Sequence, residues 1–319
     1  MLKHYIYKIL IFLRLKKKKK KSPYDFIDIG YNFADSFKDL VFSENINLRI
    51  QKLKNGLDLA SCQIIDEVVE KLVCLIPRST QKVLIDKKTL FSDRDLALQD
   101  KILKDSSWNG YPLSNYFMSE VYYFHNGIKL LSQQYINRYI VNKIVVDVGA
   151  ANGDSAFCFA KYNPMQILSF EPNTDTFKIL QQNILSYNLP AKAFNLALSN
   201  HNEAVFATLD SVIANNGGGG GNYGNNANVI AKDSKLHIGL IKMDIEGEEQ
   251  NALIGAKETI MRHKPILLIA IYHHAEQFFG IKDLIESWDI DYSFRIVKLS
   301  VFHPTDEIIL MALPKDIND

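Results

Sequence analysis

From Lys143 onward the apolar residues gather into short runs divided by longer amphipathic stretches. KIVVDV, QILSFE, AKAFNLA, GLIKMD and PILLIAI read as short buried strands. Between most of them lie segments with helical spacing, such as NTDTFKILQQNILSY and EQNALIGAKETIMR. In the first of these, Phe177, Leu180 and Ile184 share one face, and Asn173 stands where an N-cap belongs. Strand and helix in alternation predict an α/β fold, a mostly parallel sheet covered on both sides. YSFRIVKL and EIILMAL near the end have no long helix between them and predict an antiparallel hairpin at one edge.

The first third follows another pattern. Residues from about Tyr24 to Leu103 look mainly helical; Gln63 to Ile76 carries apolar residues at helical spacing, and Pro77 ends the run. No chemical motif stands out in this part, which suits a lid, an acceptor-binding cap or a dimer contact. Trp108 to Gly127 is dense in aromatic residues, which serve as core or as surfaces for stacking on a sugar or an adenine. Residues 1–22 form a separate tail: MLKHYIYKILIFLRL can wind into an amphipathic helix, and six lysines follow it. It is too short to span a bilayer and lacks a small-residue cleavage site. The expectation is therefore either peripheral contact of residues 1–21 with the anionic inner face of the cytoplasmic membrane or a solvated basic tail. Asn215 to Asn228, NNGGGGGNYGNNAN, cannot build a core and predicts a flexible loop, either a lid over the site or an insertion without a role. The resulting organisation is a tail (1–22), a helical N-terminal region (23–115) and an α/β domain (116–319) interrupted by the loop at 215–228.

Charge sharpens this picture. Nine of the 37 basic residues fall in the first 21 positions, leaving 28 against 36 acids in the remainder, a balance of −8. An acidic body is a poor partner for phosphate backbones, so no nucleic-acid substrate is expected. Cys62, Cys74 and Cys158 lack metal-ligand or CxxC spacing and read as reduced thiols of a cytoplasmic protein.

The candidate chemistry sits at the predicted strand ends. In an open α/β sheet the ligand lies beyond the carboxyl ends of the strands. The first strand runs into DVGAANGDS, Asp147 to Ser155. Gly149 permits a sharp turn and a close backbone approach, and Gly153 opens the next helix. The spacing is not the G-x-G-x-x-G of a nicotinamide-dependent dehydrogenase. Asp147 and Asp154 bring negative charge that suits a cation, such as a sulfonium carrying an amino-acid group. Glu171 ends the next strand, 22 residues after Gly149, where a carboxylate can accept both hydroxyls of a ribose. LIKMDIEGEE places Lys242, Asp244 and Glu246 at a further strand end. The paired acids can supply a general base, orient a substrate or hold a divalent metal, and the structural alternative is a salt bridge from Lys242 to a neighbouring acid. His273 and His274 close the strand after that, in reach of a hydroxyl proton.

Taken in order, VVDVGAANGDS, ILSFEPN, NLALSN, LIKMDIEGEEQNALIGA and KPILLIAIYHHAEQFF resemble the FkbM family of methyltransferases, over about Tyr116 to Leu313. The resemblance implies a Rossmann-like class I methyltransferase fold with S-adenosylmethionine as methyl donor. It implies a donor site of Asp147, Gly149, Ala150, Asn152, Gly153, Asp154, Glu171 and Asn173, with Ala197 and Leu198 near the adenine; no residue is assigned to a metal. Asp244 and Glu246 match the acids facing the methyl group, and His273 the histidine after the later strand. His273 and Asp244 are the preferred bases, with Glu246 and His274 behind them. The acceptor this implies is a sugar hydroxyl of a cell-surface glycan or its precursor. A small secondary metabolite is the other acceptor class, and a non-catalytic module binding the donor is the rival of a different kind. The glycine-asparagine run and the long N-terminal third depart from the family pattern.

Overall fold

The computed structural model describes residues 24–27, 33–41, 43–75, 83–86, 90–105, 118–203, 206–214 and 237–316. The basic tail and the glycine-asparagine loop lie outside the described residues, as does much of the aromatic segment.

The five predicted strands form as β3 (Ile144–Val148), β4 (Gln166–Phe170), β5 (Ala191–Phe194), β8 (Ile238–Met243) and β9 (Ile266–Ala270). The hairpin strands are β10 (Tyr292–Lys298) and β11 (Ile308–Pro314). One seven-stranded sheet orders them β10, β11, β9, β8, β3, β4, β5. Only β11 runs against its neighbours; the other contacts are parallel. β3, β8, β9 and β11 are buried along their whole length, as a sheet covered on both faces requires. At the margin, β5 is only half-buried. Its segment AKAFNLA divides, because Ala197–Leu198 leaves the sheet as β6 and pairs with β7 (Phe206–Ala207).

Helices α6 (Asp154–Ala160) and α7 (Thr174–Ser186) link β3 to β4 and β4 to β5. Leu180 of α7 is fully buried, and Asn173 caps that helix, its Oδ1 accepting from the backbone N–H groups of Asp175 and Thr176. A short helix α8 (Leu209–Ala214) precedes β8; α9 (Glu249–Ile254) and α10 (Lys257–His263) lead to β9; α11 (Ala275–Glu286) leads to β10. From β3 the chain goes to β4 and β5 on one side, then returns to β8 and β9 on the other. The strand order therefore reverses at β3 and β8, and their carboxyl ends open a crevice.

The N-terminal region supplies α1 (Phe33–Val41), α2 (Ile46–Lys54), α3 (Leu59–Leu75) and α4 (Asp93–Lys104), with α5 (Gln133–Tyr139) just before the sheet. It also contributes two short strands, β1 (Tyr24–Ile27) and β2 (Val83–Asp86), paired antiparallel. Four residues each are too few for periodicity to announce them. Phe37, Leu53, Ile65, Val68 and Leu72 join the same hydrophobic core as the sheet. Arg49–Glu276 (3.0 Å) and Lys52–Asp283 (2.7 Å) tie α2 to α11, and the backbone N–H of Ile296 donates to Ser61 Oγ on α3 at 2.8 Å. Of the aromatic segment, Tyr122 and Phe124 are buried. Cys62, Cys74 and Cys158 stand outside any disulfide, and Cys158 is buried. Among the described residues no helix is long and apolar enough to cross a membrane.

Candidate active site

The crevice begins with a glycine turn. Val148 ends β3, and the backbone N–H groups of Gly149 and Ala150 both donate to the Phe170 carbonyl at 3.0 Å. Gly149 sits at φ +79°, and a Cβ there would lie 2.0 Å from the Asp244 carbonyl oxygen. No other residue fits, because the turn presses directly on the end of β8. Ala151 follows at φ 44°, and its N–H donates to Glu171 Oε2 at 3.1 Å. The Asn173 N–H donates to the other oxygen, Oε1, at 2.8 Å. Glu171 thus bridges the ends of β3 and β4. Burial pushes its carboxyl up, against the backbone N–H groups of Asn173 and Ala151 and the Lys242 charge. Asn195 Nδ2 donates to the carbonyls of Glu171 and Pro172, at 2.9 and 3.0 Å, so the segment approaching Ala197 and Leu198 is tied to the same corner. Asn183 Nδ2 of α7 holds the Asn152 carbonyl at 2.8 Å, and Gly153 lies against Leu180.

Beneath the turn lies an ion pair. Asp147 and Lys242 are opposite in the β3–β8 register, with Lys242 Nζ 3.3 Å from Asp147 Oδ1. The same ammonium donates to the Gly149 carbonyl at 2.9 Å. Lys242 thus forms a salt bridge with Asp147, which leaves the roles of Asp244 and Glu246 open. Burial opposes the Lys242 charge, yet Asp147, then Asp244 and Asp154, outweigh it and hold the ammonium above the ordinary lysine range. Alternation along β8 stops at Met243, so Lys242 faces inward while the two acids that follow sit in a loop.

Asp244 anchors that loop through its N–H, which donates to the Val148 carbonyl at 3.1 Å. Glu246 takes φ 60° and Gly247 φ 114°. A left-handed non-glycine residue costs roughly 1–2 kcal/mol, and such strain clusters at functional sites. The turn folds Glu249 back under the loop, where its Oε1 accepts from the Ile245 N–H at 2.8 Å. From the other side comes His273, with Nδ1 2.9 Å from Glu249 Oε1. Its Nε2 lies 3.4 Å from Asp244 Oδ1 and 3.8 Å from Glu246 Oε2. The His273 and Glu249 side chains are both fully buried, while those of Asp244 and Glu246 are 27% and 55% exposed. Burial opposes a charge on His273, but Glu249, then Asp244 and Glu246, outweigh it and raise its pKa to about 9. Burial likewise pushes Glu249 up, and its contacts with His273 and the Ile245 N–H more than reverse this, leaving its carboxyl below the usual range. The Tyr272 hydroxyl lies 3.5 Å from Asp244 Oδ1 and 3.3 Å from Glu307 Oε1.

The two neighbouring histidines part company. His274 is exposed at the start of α11, and its ring packs where a Cβ on Gly247 would stand, 2.4 Å from Nε2. His273 alone joins the acids. Glu249 is the member that sequence reasoning missed; an acid opening a helix is an ordinary partner for the helix dipole, and nothing local ties it to a histidine. Asp244, Glu249 and His273 offer ligand-type atoms within 4.8 Å of one another.

Among the described residues, Asp147, Asp154, Glu171, Asp244, Glu246 and Glu249 gather with Lys242 and His273 at the carboxyl ends of the strands. The crevice is negative overall and attracts a small cation.

Residues 147–296 match the family model described as the Methyltransferase FkbM domain. No match was found among curated proteins. Among solved structures, the chain resembles a methyltransferase FkbM from Methylobacillus flagellatus KT, at 19% identity and a TM-score of 0.57 over 87% of this chain. The chain spans about 60% of that structure's length. A putative caffeoyl-CoA O-methyltransferase from Staphylococcus aureus is 12% identical, with a TM-score of 0.41, over 69% of this chain and 99% of the other. An rRNA methylase from Streptococcus thermophilus is 13% identical, with a TM-score of 0.39, over 61% and 95%. The sheet order with its one reversed strand, the glycine turn, the acid after β4 and the match over 147–296 agree: residues 147–296 are similar to the methyltransferase FkbM domain, and the fold around them is Rossmann-like.

Proposed function

We propose that this chain transfers a methyl group from S-adenosylmethionine to a sugar hydroxyl of a cell-surface glycan or its precursor. The observation that carries the reading is the meeting of two devices at one crevice: the Gly149 turn bridged to Glu171, and the partly exposed Asp244 backed by His273. Glu171 spends one lone pair of each oxygen on backbone N–H groups and keeps others for a ribose diol. The negative surroundings suit a sulfonium, which supplies a methyl carbon already activated for transfer and departs as a neutral thioether. The residues must then bring the acceptor oxygen into line and receive its proton. Alignment alone is worth about 7–11 kcal/mol in well-oriented reactions. Asp244, the group of the Asp244–His273 pair that reaches solvent, faces the acceptor and takes the proton. A hydroxyl acceptor needs such a group, and the acidic body disfavours nucleic acid. Tyr272 reaches Asp244 with its hydroxyl and lines a small cavity together with Phe37 and Leu72, so the N-terminal helices border the acceptor side.

Incubation with methyl-labelled donor and extracted glycans should give a product heavier by one methyl on a sugar. Label appearing only in small metabolites, or nowhere, would sink the acceptor assignment. Glu171→Gln should weaken donor binding about 10–100-fold by calorimetry, since an amide cannot accept from both N–H groups and a diol. Unchanged affinity would remove Glu171 from the donor site.

A further inference from the structure

We propose that His273 is a positioning residue working as an imidazolium: clamped by buried Glu249 through Nδ1, it presents Nε2–H to Asp244 and fixes that carboxylate against the acceptor. This rests on Asp244 being the group that meets the acceptor. It departs from the proton-accepting role that the sequence suggests for His273.

Three observations lead there. The His273 side chain has no exposed surface, and Asp244 and Glu246 stand between Nε2 and solvent. An acceptor hydroxyl therefore meets a carboxylate before the imidazole. Second, Glu249 is itself fully buried and locked by the Ile245 N–H, so the clamp cannot swing. Third, the charged groups within 4 Å of the ring nitrogens are acids: Glu249 from α9, and Asp244 and Glu246 from the loop after β8. Tyr272 packs its ring against the imidazole at 4.1 Å and carries no charge, since burial and the nearby Asp244 and Glu307 hold its hydroxyl well above the usual range. Such a setting keeps both ring nitrogens protonated at neutral pH, and a base must begin unprotonated. In the step itself the acceptor oxygen bonds to the methyl carbon as the carbon–sulfur bond breaks. The electron pair of that bond stays on sulfur, and the hydroxyl proton passes to Asp244.

The sign of the pH dependence separates the two roles. An imidazolium clamp loses function as pH rises through the histidine's titration, so methyl transfer should fall above about pH 9. A histidine base would make it rise over the same range. Glu249→Gln removes the charge that sustains the imidazolium. The alkaline limb should then move about two pH units lower, and kcat at pH 8 should drop about 10-fold, with the KM for donor within about threefold. A reading independent of catalysis comes from 15N-histidine NMR, with His273 assigned through a His273→Gln variant: its titration should lie near 9 in the parent and lower in Glu249→Gln. Activity rising through that titration, or an unshifted His273 titration in the variant, would overturn the proposal. If the parent chain shows no methyl transfer at all, the functional reading fails, while the NMR result still decides the clamp.

Discussion

Replacing Asp244 with alanine should cut methyl transfer by about 10²–10⁴-fold while donor affinity stays within about threefold. The magnitude is that of losing a positioned proton acceptor. The split between the two effects follows from how Asp244 is built in. Its backbone serves the donor turn, since its N–H holds the Val148 carbonyl and its carbonyl packs on Gly149. Its side chain serves the other task, facing His273 Nε2 and the Tyr272 hydroxyl. Alanine keeps the backbone and removes only the carboxylate. Single-turnover transfer measured beside calorimetric donor binding tests this. Loss of donor binding in step with loss of transfer would reassign Asp244 to the donor site.

Gly149→Ala should have the opposite profile, losing donor binding and stability together. The new Cβ would stand 2.0 Å from a backbone oxygen, and neither that oxygen nor the turn can yield without parting β3 from β8. Overpacking costs about 1–3 kcal/mol, and a left-handed φ adds roughly 1–2. We expect about 3 kcal/mol lost in denaturant unfolding, with no measurable heat on adding donor. An alanine variant that binds donor like the parent would show that the turn is not where the donor lies.

Much of this arrangement can be read along the chain because its parts are local. Buried strands and amphipathic helices announce themselves by periodicity, and Gly149 and Glu171 stand at strand ends whatever the packing. The hairpin β10–β11 follows from the absence of a crossover helix. What escaped reading depends on register and burial. That Lys242 lies beside Asp147 follows only from the β3–β8 alignment. His273 and His274 are neighbours in sequence, yet one is enclosed by acids and the other stands exposed just before α11, a division decided by where β9 ends. Glu249 meets His273 only because Glu246 and Gly247 adopt left-handed turns that double the loop back. The pairing of β1 with β2 likewise joins segments too short to show a pattern.

The account depends on a sulfonium donor held between the Gly149 turn and Glu171, and equilibrium titration of the full chain tests it most directly. Calorimetry should show one-site saturable binding of S-adenosylmethionine and of its demethylated product, both weakened together by Glu171→Gln. Heat for a nicotinamide dinucleotide, with none for either sulfur compound, would contradict it.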